Sequence, residues 1–261
     1  MRVALVQYEP IFGDRDGNTE RLIARCRSVP ADLYVLPELA ITGYQFVSAQ
    51  EARGLSDEIT SPRIEAFMAA ASELNAAIIV GFAERAGEVL YNASIAALPD
   101  GRAILYRKTH LFYKETLYFH PGDTGFPVFE FRSARIGMAI CFDWFFPESF
   151  RTLALKGADI IAHSSNLVMP YCQRADFSAA VQNRVFIATV NRVGAERRED
   201  EQLEFTGESV LVSPRGEYLL RGPQTTEAVL VADIDPTEAR NKAINPYNDV
   251  FTMRRPPLYF K

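Results

Sequence analysis

Cysteine and histidine are scarce in this chain, with three of each among 261 residues. Cys26, Cys141 and Cys172 form no Cys-x-x-Cys pair, and His110, His120 and His163 show no His-x-x-x-His spacing. These counts argue against a disulfide framework and against a zinc site, and no metal or organic cofactor is expected. Long apolar runs are also missing. The N-terminal run Val3-Ala4-Leu5-Val6 is too short for a signal peptide or a membrane helix, and no later window suits a bilayer span. The expectation is a cytoplasmic protein with reduced thiols and no membrane partner. An excess of positive charge is absent too. The 28 Lys and Arg residues are outnumbered by 33 Asp and Glu, a net charge of −5, and no basic cluster interleaves with aromatics. A nucleic-acid partner is therefore not expected.

What is present is ordinary globular composition, 48% hydrophobic and 23% charged, in a chain long enough to bury a layered core. Strand-like apolar runs alternate with segments of helical period. Residues 2–7, 33–36, 76–83, 90–98, 102–106, 128–131, 136–140, 160–163, 186–193, 209–212 and 228–234 read as strands. Leu22, Ile23, Cys26 and Val29 share one helical face, which makes Cys26 a small core residue. Ser61-Pro62 is a helix start signal ahead of the stripe Ile64, Phe67, Met68, Ala71 and Leu74. Further helices are expected around 148–156 and 174–183, and Pro99-Asp100-Gly101 reads as a hairpin turn. No linker interrupts the pattern, so residues 1–261 are read as a single domain. Many strands interleaved with long helices suggest an α/β fold with two sheets face to face and helices outside, a four-layer α-β-β-α sandwich. The aromatic and Pro-rich stretch 245–261 reads as a C-terminal tail that docks on something, a second subunit being one candidate.

Three reactive side chains stand where buried strands are expected to end. Glu38 follows Leu33-Tyr34-Val35-Leu36-Pro37, Lys108 follows Ala103-Ile104-Leu105-Tyr106, and Cys141 follows Ile136-Gly137-Met138-Ala139-Ile140. Strand ends gather sites because a rigid sheet fixes the direction of each projecting group. If the strands are neighbours, a carboxylate, an ammonium and a thiol converge, which are the parts for acyl transfer through a thioester. A thiol needs a base or a cation to act as a thiolate, Glu38 can take its proton, and Lys108 can hold an oxyanion. Each residue also has a plainer reading. A buried strand-end cysteine is more often core than nucleophile, Glu38 can simply begin a loop, and Lys108 can be a solvated edge charge.

The segments Leu36-Pro37-Glu38-Leu39…Gly43-Tyr44, Tyr106-Arg107-Lys108-Thr109-His110-Leu111-Phe112 and Ile140-Cys141-Phe142-Asp143-Trp144-Phe145-Phe146-Pro147-Glu148 resemble, in order and spacing, the nitrilase superfamily of carbon–nitrogen hydrolases. The likeness spans essentially the whole chain and is nearest to archaeal nitrilase-type members. It implies an α-β-β-α sandwich that dimerises, or assembles further, with Glu38 as general base, Lys108 as the intermediate-stabilising cation and Cys141 as nucleophile. It also places Glu115 as a second carboxylate that positions the substrate or the leaving amine; without it, Glu115 reads equally as an exposed loop residue. The oxyanion hole would combine Lys108 with the Phe142 N–H. Tyr44 and Asn166 are candidate pocket residues. Trp144 is a further substrate-site candidate, although it, Phe145 and Phe146 read first as packing. His163 reads as a structural histidine and Cys172 as incidental.

The resemblance implies a hydrolase of non-peptide carbon–nitrogen bonds: an amidase acting on a small amide, or a nitrilase using the same side chains. Nitrilases proper more often carry Trp-Glu after the cysteine, where this chain has Phe142-Asp143, and that departure bears against nitrile specificity. A catalytically silent scaffold on the same fold is a rival from another class. A Cys-His thiol protease would need His110 or His163 beside Cys141.

Overall fold

The computed structural model describes residues 1–259. In chain order the strands are β1 (Arg2–Gln7), β2 (Leu33–Val35), β3 (Ala77–Ala86), β4 (Val89–Ala97), β5 (Ala103–Arg107), β6 (Val128–Phe131), β7 (Ala134–Ile140), β8 (Ile160–Ser165) and β9 (Phe186–Asn191). A hairpin of β10 (Ala195–Arg198) and β11 (Glu201–Glu204) follows, then β12 (Val210–Val212), β13 (Tyr218–Arg221), β14 (Ala228–Asp233) and a last hairpin, β15 (Ala243–Asn245) with β16 (Asn248–Asp249). The helices are α1 (Arg15–Ser28), α2 (Ala49–Leu55), α3 (Pro62–Leu74), α4 (Pro147–Leu155) and α5 (Cys172–Asn183).

Two six-stranded sheets result, ordered β14-β1-β2-β3-β4-β5 and β13-β12-β9-β8-β7-β6. Side chains alternate across each strand, so each sheet has two apolar faces. Val3 and Leu5 of β1 meet Ile136, Met138 and Ile140 of β7 in the core between the sheets. Ala4 and Val6 turn the other way, onto Leu22, Ile23 and Cys26 of α1 and Ile64 and Phe67 of α3. On the far side, Ile161 and Ile187 pack on Phe150, Leu153 and Ala154 of α4 and Ala180 of α5. The architecture is the expected four-layer α-β-β-α sandwich.

Local signals account for the element ends. Ser61 caps α3 by accepting from the Ile64 N–H, Pro62 opens the helix, and Asn75 ends it in the left-handed conformation. The β4–β5 turn carries Gly101 at φ +86°. The short helix α2 had no place in the sequence reading; only three of its seven residues are apolar, too few to make a stripe. The tail differs from a free arm. Phe251 packs back on the α4–α5 layer beneath Arg151 and Lys242, while Tyr247 is 89% exposed. Phe260 and Lys261 of that tail lie outside the described residues. No described helix is long and apolar enough to cross a membrane.

After β2 the chain keeps to the edge of β3. Leu36 N–H donates to Ile79 O, Gly81 N–H to Pro37 O and Ala40 N–H to Gly81 O, so the turn bearing Glu38 is clamped to a strand. Contact is close enough that a Cβ on Gly81 would lie 2.5 Å from Glu38 Cα and 2.6 Å from Leu39 N. Both are backbone atoms with nowhere to move. Gly81→Ala should destabilise the fold by about 2 kcal/mol through overpacking, read as a lowered midpoint in urea unfolding; an unchanged midpoint would show that the turn yields freely.

Candidate active site

The three strand-end residues do not come from neighbouring strands. β2 and β5 are separated by β3 and β4 in one sheet, and β7 belongs to the other. Glu38 and Lys108 meet at the same end of the first sheet, and Cys141, which feels the charges of both, comes to them from the second sheet across the gap between the layers. Asn166, just after β8, bridges that gap by donating from Nδ2 to the Glu38 main-chain oxygen at 2.9 Å.

Lys108 is the hub. Its Nζ donates to Glu38 Oε1 at 2.6 Å and to Glu115 Oε1 and Oε2 at 2.8 and 2.9 Å. Glu115 is carried on a 3-10 turn, Tyr113–Leu117, and Tyr44 donates to its Oε1 at 2.6 Å. Asn92, on β4, donates to Glu38 Oε1 at 2.7 Å and Glu115 Oε2 at 3.2 Å. Glu38 and Lys108 are fully buried and Glu115 is 4% exposed, so Glu115 is not the loop carboxylate that its sequence position alone allowed. Glu38 Oε2 is buried with no hydrogen-bond partner.

Cys141 opens a second 3-10 turn, Cys141–Phe145, at φ +39°, a left-handed backbone that a non-glycine residue adopts only when its surroundings hold it. Asp143 provides that hold. Its Oδ2 accepts from the Ile140 N–H and the Tyr106 hydroxyl, and its Oδ1 from the His110 N–H, with His110 Nδ1 at 2.8 Å.

Electrostatics follow from burial and surplus negative charge. Burial raises the Glu38 carboxyl, Lys108 pulls it back and Glu115 adds to the rise. Burial opposes the Lys108 charge, but Glu115 and Glu38 outweigh it and hold the ammonium above its ordinary range. The Cys141 thiol is pushed up by burial and then by Glu38, against the pull of Lys108. At rest the thiol is therefore protonated beside an elevated carboxylate, an arrangement for proton transfer during attack and not for a standing thiolate.

The remaining sequence candidates divide. Phe142 stands among the rings of Phe112, Phe145 and Phe146. Trp144, named with the pocket residues, packs against the inter-sheet core and the α4–α5 layer and lines a groove on that outer side. It is not drawn into the Glu38–Lys108–Glu115 cluster. Beside Tyr44 and Glu115 is a cavity of about 20 Å³, room for about one water. Glu201 is among its lining residues, accepting from Tyr113 Oη at 2.8 Å, Lys114 Nζ at 2.5 Å and Gln45 Nε2 at 3.1 Å.

Sequence reasoning missed several contributors. Asn92 was legible only as a polar residue inside an apolar strand. Glu196 accepts from the Tyr44 and Gln45 N–H groups while paired with buried Arg192, and nothing in its local sequence marks it. His163, Cys172 and Asp176 place potential metal-ligating atoms within 4.8 Å of one another. His163 and Asp176 each make a hydrogen bond to Thr189.

This fold with this cluster defines the class. Residues 2–243 match the model of the carbon-nitrogen hydrolase family, and the chain belongs to it. Among particular relatives, a protein named nitrilase from Pyrococcus abyssi is 45% identical over the full length of both chains. An (R)-stereoselective amidase from a Pseudomonas species is 33% identical, over 93% of this chain and 88% of its own. A solved CN-hydrolase superfamily protein from Xanthomonas campestris, with an arsenic adduct in its active site, superposes at a TM-score of 0.82 with 25% identity over 92% of each chain.

Proposed function

We propose that this carbon–nitrogen hydrolase is an amidase that converts a small amide to its acid and ammonia through a thioester on Cys141. One observation carries the preference. Three buried side-chain acceptors at the cluster, Glu38 Oε2, Asn92 Oδ1 and Asn166 Oδ1, have no hydrogen-bond partner. An amide brings N–H donors to them, whereas a nitrile nitrogen only accepts.

In this reading Glu38 Oε2 takes the Cys141 thiol proton as sulfur attacks the carbonyl carbon. The oxyanion is held by the Lys108 ammonium and the Phe142 N–H, which lies in the first turn of its helix and has no intrahelical acceptor. Glu115, fixed by Tyr44, Asn92 and Lys108, orients the substrate nitrogen. The tetrahedral intermediate collapses, ammonia leaves with the proton from Glu38, and the thioester remains. Glu38 then deprotonates a water that attacks the acyl carbon, and the returning proton restores the thiol as the acid departs.

The second reading, a nitrilase, has its own support in the full-length Pyrococcus abyssi relative of that name. Ammonia and acid release from a panel of small amides, carbamoyl compounds and nitriles separates the two. Ammonia from amides, abolished in Cys141→Ala and cut about a thousandfold in Glu38→Gln, is the expected result. Turnover of nitriles alone would move the assignment to nitrilase, retained activity in Cys141→Ala would remove the mechanism, and silence throughout would favour the scaffold reading.

The same assay run against pH tests the base. Glu38 must be ionised to accept the proton, and burial raises its pKa. The kcat/KM should therefore fall on acidification with a midpoint above the ordinary glutamate value of about 4.3, and a midpoint at or below that value would count against Glu38 as the base.

The partner reading is a second copy of this chain on the α4–α5 face. Phe145, Tyr171, Phe177 and Val181 are exposed there, beside a groove of about 720 Å³ edged by Val250, Arg254 and Tyr259 of the tail. An apolar patch of this kind marks an interface. Sedimentation should give a dimer or a larger even assembly, and a monomer at micromolar concentration would refute it.

A further inference from the structure

Behind the nucleophile turn is a second hydrogen-bonded chain that the proposed reaction does not use. Asp176 is on α5, Thr189 on β9 and His163 on β8, and all three are fully buried. Thr189 Oγ1 lies 2.7 Å from Asp176 Oδ2 and 2.9 Å from His163 Nδ1. His163 Nε2 lies 2.8 Å from the Cys141 main-chain oxygen. Cys141 O belongs to the same peptide group whose other end is the Phe142 N–H.

Proton counting fixes the direction of this chain. A carbonyl oxygen only accepts, so Nε2 must carry a hydrogen; without it, two lone pairs would face each other at that separation. Ser165 Oγ, 3.2 Å from the same nitrogen, offers no alternative partner for the carbonyl. In a neutral imidazole Nδ1 is then an acceptor and takes the Thr189 hydroxyl hydrogen. With that hydrogen given to Nδ1, the 2.7 Å contact between Thr189 Oγ1 and Asp176 Oδ2 is a hydrogen bond only if Asp176 is the protonated acid and donates; Thr189 donating to an ionised Asp176 would leave the Nδ1 contact without a hydrogen. The one rival arrangement with the same proton count is an aspartate–imidazolium pair, which places two charges in a dry site. Burial pushes Asp176 up to about 7 and His163 down to about 4, the directions that favour the uncharged chain. The Cys172 thiol, 3.9 Å from both Asp176 oxygens, adds no positive charge.

We propose that Asp176, Thr189 and His163 are positioning residues forming an uncharged hydrogen-bond relay that aims and polarises the Cys141–Phe142 peptide, strengthening the Phe142 N–H as an oxyanion donor. This rests on the assignment of that N–H to the oxyanion site. A hydrogen bond accepted at a peptide oxygen shifts electron density away from nitrogen, which makes the N–H a better donor. It also pins the peptide plane beside the left-handed Cys141, so the donor needs no reorientation when charge develops. Thr189 and Asp176 act through the tautomer of His163 and touch no substrate.

Two variants and two readouts test the relay. Thr189→Val keeps the volume and removes the hydroxyl, leaving His163 Nδ1 without a donor and its ring less firmly held against the Cys141 carbonyl. It should lower kcat for amide or nitrile hydrolysis about tenfold, less than deletion of a whole oxyanion donor, with KM unchanged. Alkylation of Cys141 by iodoacetamide, a displacement at saturated carbon that builds no oxyanion, should proceed at the wild-type rate. An equal fall in hydrolysis and alkylation would mean a misplaced thiol and overturn the proposal, as would an unchanged kcat. Asp176→Asn retains a neutral donor toward Thr189 and should keep kcat within about twofold of wild type; a loss as large as that of Thr189→Val would show that a charged aspartate is required. Nitrogen NMR of the wild-type enzyme below neutral pH should find His163 protonated on Nε2 and bare on Nδ1. The opposite tautomer or an imidazolium would sink the relay whether or not the enzyme proves to be an amidase, whereas failure of the amidase reading alone would appear as activity retained in Cys141→Ala.

Discussion

The structure around the site depends on keeping the Lys108 ammonium out of water between two carboxylates. A lone buried charge is prohibitively costly, so each member of the cluster is tolerable only because the others are in place. Burial drives Glu38 and Cys141 upward, and the surplus of negative charge left by one cation between two anions adds to the rise. Tyr44 and Asn92 are the neutral donors that make the surplus bearable. Tyr44 is itself held through its main chain by the buried Arg192–Glu196 pair, so the arrangement reaches from the first sheet into the hairpin inserted between β9 and β12 of the second.

That dependence explains which parts of the fold are rigid. The Glu38 turn is tied to β3 by backbone hydrogen bonds, and the Cys141 turn is pinned by Asp143 on one side and His163 on the other. Both turns carry a residue at positive φ, Leu39 at +45° and Cys141 at +39°. Two strained turns face each other across the inter-sheet gap, each held by its own sheet and also by a group from the other, Asn166 on the Glu38 turn and Tyr106 on the Cys141 turn. The geometry of the site is thus set by how the sheets stack, and the stacking is set by the shared apolar core between them.

Period and position made much of this legible in the sequence. Apolar runs located eleven strands to within a few residues but not the short, largely exposed β10, β11, β13, β15 and β16, and the capping signal at Ser61-Pro62 located α3 because it is a local device. Glu38, Lys108 and Cys141 stood out because an ionisable or reactive side chain at the end of an apolar run is conspicuous. Long-range supports were not legible. Asn92 looks like a strand residue, Glu196 like a surface glutamate and Thr189 like an ordinary β-branched residue until the fold brings them to their partners. Trp144, read first as packing and also as a pocket candidate, packs against both the inter-sheet core that includes Cys141 and the α4–α5 layer. The sandwich itself followed from the element pattern, whereas the meeting of the site across two sheets did not, since strand order is invisible to periodicity.

One further consequence comes from the β1–β14 pairing. β1 lies between β2 and β14 in the sheet, with Arg2 opposite Asp233 and Gln7 opposite Ala228. β1 is made more than two hundred residues before its β14 partner, so its outer edge is among the last parts of the sheet to be completed. Until then β1 presents a bare ladder of donors and acceptors to any passing strand. Such non-local closure slows folding and leaves a sticky intermediate. Newly synthesised chains are accordingly most at risk of mispairing with each other in the interval before residues 228–233 emerge, and truncation ahead of β14 would leave that edge permanently open.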